Sequence, residues 1–213
     1  MLSLRIRRQR ARKIIAKLRD VFPTSGCSLI HQDPWQLLVA TILSAQCTDA
    51  RVNQVTPGLF AALPSVRDFA AAPRDALEDA VRPTGFFRNK ARSLQGAAQA
   101  IVERHGGEVP STLAELLRLP GVGRKTANVV LGEIWDRSDG VVVDTHVSRI
   151  AQKLGLTDTG EPTAAERQLN EVVPHEHWRL FTHLIIDHGR QTCRARRPLC
   201  DACSIYQWCE VRA

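Results

Sequence analysis

Nowhere in the 213 residues is there an apolar run near the ~18 that a bilayer crossing requires. A membrane-spanning role is therefore not expected. Internal repeats and low-complexity tracts are also missing, which sets aside repeat arrays and long disordered linkers. Strand patterning is almost absent: the one extended stretch, Val141–Val143, is too short to found a sheet. No signal peptide is expected. The amino-terminal MLSLRIRRQRARKIIAKLRD has the arginine content of a transit peptide. Its Ala11, Ile14, Ile15 and Leu18, with Phe22 beyond, instead keep the 3.6 period of a packed helix. A cytoplasmic, nucleoid-associated protein in a reducing compartment is expected, so the six cysteines are not read as a disulfide framework.

What the chain does have is positive charge. Lys and Arg outnumber Asp and Glu by 29 to 22, giving +7. Residues 1–20 hold eight of the basic side chains and one acid, and Arg190, Arg194, Arg196 and Arg197 cluster near the other end. The pattern suits a polyanionic partner, and it also suits a set of solvated helix faces. The length admits one ordinary domain or two small ones with a sizeable core.

Nearly every segment reads as helix. Asp33-Pro34 supplies an N-cap and an N1 proline for a helix so apolar, from Trp35 to Ala45, that it must be largely buried. Thr48 or Asp49 opens the next, carrying Val52, Val55, Leu59, Phe60 and Leu63. A helix from near Pro73 turns Leu77, Ala80 and Val81 inward and stops before Gly85. Ala91, Leu94, Ala98, Ile101 and Val102 mark another, closed by Gly106-Gly107. Thr112 with Glu115, and Thr163 with Glu166, read as capping boxes. The turn cluster Asp136-Arg-Ser-Asp-Gly140 suggests a domain boundary near 138–141. The expected fold is all-α.

Three constellations carry chemistry. The first is Leu119-Pro-Gly-Val-Gly-Arg-Lys-Thr-Ala127, a glycine-bearing turn opening into a helix. Its amides at Gly121, Val122 and Gly123, with those of the helix start, suit phosphate. Ala127, Val130, Leu131 and Ile134 form the helix's apolar face, and Lys125 lies nearly opposite. At the positive end of the dipole its free amine is favoured, and only a free amine attacks carbon. A solvated lysine touching a phosphate would look the same. The second is Asp144, a natural N-cap for a helix with Val147, Ile150, Ala151 and Leu154 inward. A carboxylate held there also stabilises a cationic transition state. His146 beside it is read as a hydrogen-bonded structural histidine. The third is Cys193, Cys200, Cys203 and Cys209, spaced C-x6-C-x2-C-x5-C. One C-x2-C pair is too few for a usual zinc knuckle set, and the run fails the common ferredoxin spacing, so spacing leaves zinc and iron–sulfur comparable. Arg194, Arg196 and Arg197 sit in the intervening loop, placed to grip phosphates. Cys27 and Cys47 stand apart and read as small buried apolar residues.

These elements, in this order, resemble the endonuclease III branch of the helix-hairpin-helix DNA glycosylases. The likeness runs through Leu43-Ser-Ala-Gln46, Gly106-Gly-Glu-Val-Pro110, the lysine-bearing turn, Val143-Asp-Thr-His-Val-Ser-Arg149, His188-Gly-Arg190 and the cysteine quartet. It implies a bifunctional N-glycosylase and abasic-site lyase acting on oxidised pyrimidines in duplex DNA. It implies a six-helix barrel over 27–139, a cluster lobe from 1–26 and 140–213, and an active site in the cleft between them. By the same resemblance Lys125 is the nucleophile and Asp144 its carboxylate partner. The four cysteines then hold a [4Fe–4S] cluster, and Gln46 fills the space left by the flipped base. Phe86 stands where the family usually presents a leucine wedge, and Cys47 replaces a commoner small residue. An adenine mismatch glycosylase typically has serine at Lys125 and a further carboxy-terminal domain; this chain runs four residues past Cys209. A non-catalytic DNA-binding protein gives Asp144 no purpose beside Lys125, and a zinc-stabilised helical regulator is the remaining alternative. A monomer is expected, because no self-complementary apolar face is evident.

Overall fold

The computed structural model describes residues 2–211. Among the described residues there are eleven α-helices and no strand. They are α1 (Leu4–Val21), α2 (Pro34–Leu43), α3 (Asp49–Ala62), α4 (Val66–Ala71), α5 (Arg74–Val81), α6 (Phe87–His105), α7 (Leu113–Leu116), α8 (Arg124–Trp135), α9 (Thr145–Lys153), α10 (Pro162–Val172) and α11 (Trp178–Gln191). The chain divides into two compact units, Cys27–Arg137 and a discontinuous one made from residues up to Gly26 with those from Ser138 on.

The contiguous unit is built around α2. Asp33 caps it by accepting from the Gln36 amide at 2.8 Å, with Pro34 next in line. From Leu37 to Leu43 every residue is buried, as a helix apolar on all sides must be. Helices α3, α6 and α8 pack on it, and α6 runs along α4 and α5. Trp35 meets Phe69 of α4 edge to face at 5.1 Å between ring centroids. Helix α4 is not marked by apolar period in six residues; its signal is the Ser65/Asp68 capping box, with the Ser65 amide donating to the Asp68 carboxylate at 2.9 Å.

In the discontinuous unit, Ala11, Ile14, Ile15 and Leu18 of α1 pack among residues of α9, α10 and α11. Arginines fasten the two chain ends. Arg7 donates to the Leu156 carbonyl at 3.2 Å, and Arg10 to the carbonyls of Leu154 and Trp208 at 2.8 and 3.1 Å and to the Glu210 carboxylate. Two expectations are corrected. Helix α10 is capped by Glu161, whose carboxylate oxygens accept from the Thr163 and Ala164 amides at 2.8 and 2.6 Å. Pro162 occupies the first helical position and puts Thr163 inside the helix, so no box with Glu166 forms. Cys27 and Cys47 are half-buried rather than buried, with their thiols at the carbonyls of Leu29 and Thr48.

Candidate active site

The glycine turn is fixed from one side by α6. Gly121 has φ +77°, and a Cβ there would come 2.4 Å from Ser93 Cβ, so both the conformation and the close approach require glycine. A Cβ on Gly96 would meet the Pro120 ring at 3.1 Å, so the turn and α6 touch through small residues on both partners. Leu119 and Val122 anchor the turn, and the Val122 amide donates to the Leu119 carbonyl at 3.1 Å. Val122 is 7% exposed with its amide used inside the turn, so of the three expected phosphate-binding positions only Gly121 and Gly123 are exposed. Helix α8 then starts at Gly123 with no side-chain cap. Lys125 is exposed in its first turn, while Ala127, Val130 and Leu131 are buried.

Two further loops of the same unit have non-glycine residues in the left-handed region. Gln46 has φ 53° just beyond α2, and Phe86 has φ 48° as the N-cap of α6. Such residues cost of order 1 kcal/mol and cluster at functional positions. Gln46 is exposed, and Phe86 is a 62% exposed aromatic. Beneath them lies a residue that patterning gave no reason to select. Lys90 is 4% exposed, and its Nζ donates to the Thr84 carbonyl at 2.7 Å. Burial pushes its amine below the ordinary lysine pKa, and the Cys47 thiol nearby acts in the opposite sense.

In the discontinuous unit, Asp144 caps α9. One carboxylate oxygen accepts from the His146 and Val147 amides, both at 2.8 Å, and the other lies 3.3 Å from His146 Nδ1. His146 Cδ2 would stand 2.8 Å from a Cβ on Gly189 of α11, so the ring is packed as well as bonded.

The four carboxy-terminal cysteines are all half-buried. Burial raises the Cys203 pKa, and the thiols of Cys193, Cys209 and Cys200 push the same way, against a hydrogen bond involving the Ile205 backbone. Two nitrogens reach the sulfurs: Arg149 Nη1 donates to Cys193 Sγ at 3.6 Å, and His188 Nε2 lies 3.8 Å from Cys203 Sγ. Burial and then the Arg149 charge hold buried His188 down to about 4, so its imidazole is neutral. Among the described residues no three His, Cys, Asp or Glu side chains close on a single ion. Four soft sulfur donors, two of them beside a side-chain nitrogen, nonetheless have the chemistry of a thiolate-ligated cluster. Arg194, Arg196 and Arg197 are exposed on the loop between Cys193 and Cys200, which the Leu199 amide closes onto the Thr192 carbonyl at 2.9 Å.

Residues 39–175 match the HhH-GPD superfamily of base excision DNA repair proteins. Endonuclease III of Synechocystis is 51% identical over 203 residues, spanning 95% of this chain and 93% of that one. Endonuclease III of Bacillus subtilis is 41% identical over 194 residues, 91% and 88% of the two chains. A solved non-covalent endonuclease III–DNA complex superposes with a TM-score of 0.90 at 39% identity, covering 99% of this chain and 96% of that one. A trapped endonuclease III–DNA covalent intermediate matches with the same score and identity. The chain belongs to the HhH-GPD superfamily and, within it, to the endonuclease III family of DNA glycosylases and abasic-site lyases.

Proposed function

We propose that this enzyme excises oxidised pyrimidines from duplex DNA through a lysine-linked intermediate and then nicks the strand 3′ to the abasic site. The observation that carries the reading is Lys125, an exposed amine in the first turn of an uncapped helix behind a phosphate-suited glycine turn. The glycosidic carbon is hidden inside a duplex, so the nucleotide must first leave the stack. Backbone at Gly121 and Gly123 and the side chains of Arg194, Arg196 and Arg197 hold phosphates, Gln46 fills the vacated space, and Phe86 enters against the opposite strand. The Lys125 amine forms a bond to C1′ as the N-glycosidic bond breaks and the base departs with its electron pair. Sugar opening gives an iminium. Loss of the C2′ proton then expels the 3′ phosphate by β-elimination. Asp144 has one oxygen committed to the α9 amides, so its charge is held in place to stabilise the oxocarbenium-like sugar.

Cys193, Cys200, Cys203 and Cys209 hold a [4Fe–4S] cluster in this reading, which serves to pin the arginine loop at both ends. An absorbance band at about 400 nm in the purified protein distinguishes it from zinc. The enzyme acts as a cytoplasmic, nucleoid-associated monomer. Borohydride reduction on DNA containing an oxidised pyrimidine tests the chemistry: wild type should form a covalent adduct, and Lys125→Ala should form none. A wild-type protein that excises the base without trapping would overturn the lysine mechanism.

A further inference from the structure

Lys90 is a buried cation in the first turn and a half of α6, where two effects oppose it. Removal from water disfavours the ammonium, and the helix dipole is positive at that end. Nothing acidic lies in the first turn of α6, and no side chain caps the helix. For packing alone, an apolar residue of similar volume would serve as well or better. What Lys90 does gain is the backbone around Phe86. Its Nζ donates to the Thr84 carbonyl at 2.7 Å, and its amide donates to the Phe86 carbonyl at 3.1 Å. The second bond is the ordinary first bond of the helix; the side chain alone ties Thr84, just ahead of the positive-φ pair Gly85 at φ 72° and Phe86 at φ 48°, to the start of α6.

The rest of the turn is fixed in the same manner. Thr84 Oγ1 donates to the Val81 carbonyl at 2.8 Å, and the Gly85 amide to the Arg82 carbonyl at 3.2 Å. Phe87 is flanked by the guanidinium groups of Arg82 and Arg88, at 4.6 and 5.5 Å from its ring centre. Everything around Phe86 is held, while Phe86 itself projects. We infer that Lys90 is a positioning residue for base displacement: by clamping the Thr84 carbonyl to the start of α6 it stiffens the strained turn so that Phe86 enters the stack as a rigid wedge. A wedge on a floppy turn would yield to the base pair it must part. The inference rests on the reading of Phe86 as the wedge.

The test uses full-length protein and a duplex with a tetrahydrofuran abasic analogue opposite 2-aminopurine. That analogue has no base to lose and no aldehyde to trap, so the fluorescence rise at saturating protein reports displacement of the opposite base alone. Wild type should give a clear rise, and Phe86→Ala and Lys90→Met should each cut it by about threefold or more. The Phe86→Ala/Lys90→Met double variant should fall no further than Phe86→Ala, the signature of two residues acting as one unit. Met fills the lysine stem and removes a buried charge, so the variant should fold; Lys90→Leu replaces it if it does not. An undiminished rise in the folded Lys90 variant, or reductions that multiply in the double variant, would overturn the role of Lys90 and leave the wedge standing. An undiminished rise in Phe86→Ala would remove the wedge reading and the inference with it.

Discussion

Asp144 performs two duties with one carboxylate, and substitution can separate them. Asparagine is as good an N-cap as aspartate, so Asp144→Asn keeps an acceptor for the His146 and Val147 amides while losing the charge and turning the oxygen facing His146 Nδ1 into an amide NH2. Single-turnover excision should fall by roughly 100-fold while the melting temperature and DNA affinity hold. A collapse of the fold with no separate effect on rate would reduce Asp144 to a cap. Gly121 offers a different case, a residue whose missing side chain is what the fold requires. Gly121→Ala meets a left-handed φ and a 2.4 Å approach to Ser93 Cβ. It should cost roughly 2–5 kcal/mol in denaturant unfolding. Legibility in the sequence follows the same division. Lys125 and Asp144 were readable because helical phase and capping are local rules. The left-handed states of Gln46 and Phe86 were not, because no side chain announces them as glycine does. Lys90 was hidden because its partner is a backbone carbonyl six residues back.

At the scale of elements, the starts of α4 and α10 show how a local rule misleads. Thr163 and Glu166 have the spacing of a capping box, yet Pro162 takes the first helical position and hands the cap to Glu161. Glutamate is a less usual cap than threonine, so propensity favoured the wrong residue. Ser65 and Asp68 make a true box before a helix too short to show apolar periodicity. The long helices α1 and α6 were legible because many turns of burial average out such local ambiguity, and the shorter α2 because it is apolar on every side. The Glu161 cap has a pH signature. Hydrogen bonds from the Thr163 amide, then the Ala164 amide, hold its carboxyl below the ordinary value of 4.5. A carboxylate lowered in the folded state stabilises above its unfolded pKa and loses that contribution as pH falls through the folded one. Wild type should therefore melt higher than Glu161→Gln at neutral pH, and the gap should close on acidification below 4.5. A gap that persists unchanged at the acid end would mean that the carboxylate charge plays no part in the cap.

Across the whole molecule, the basic excess lies largely in the unit built from both chain ends. Residues 1–20 and the loop between Cys193 and Cys200 both belong to it. Its core needs Ile14 and Leu18 of α1 as much as Leu184 and Ile185 of α11, and Arg10 ties the turn after α9 to Glu210. Net charge and local phosphate binding predict different salt behaviour for this unit. Replacing Arg194, Arg196 and Arg197 by glutamine lowers the formal charge from +7 to +4, and so does replacing the exposed Arg5, Arg12 and Lys13 of α1. If overall charge governs DNA affinity, the two triple variants weaken alike. If the loop grips phosphate, the first variant alone should flatten the dependence of log affinity on log salt, by about 0.9 for each phosphate no longer neutralised. Damaged and undamaged duplexes should then weaken to the same degree, because phosphate contacts position a protein without reading bases. Equal slopes in the two variants would return the arginine loop to the solvated surface and leave the glycine turn as the main phosphate grip.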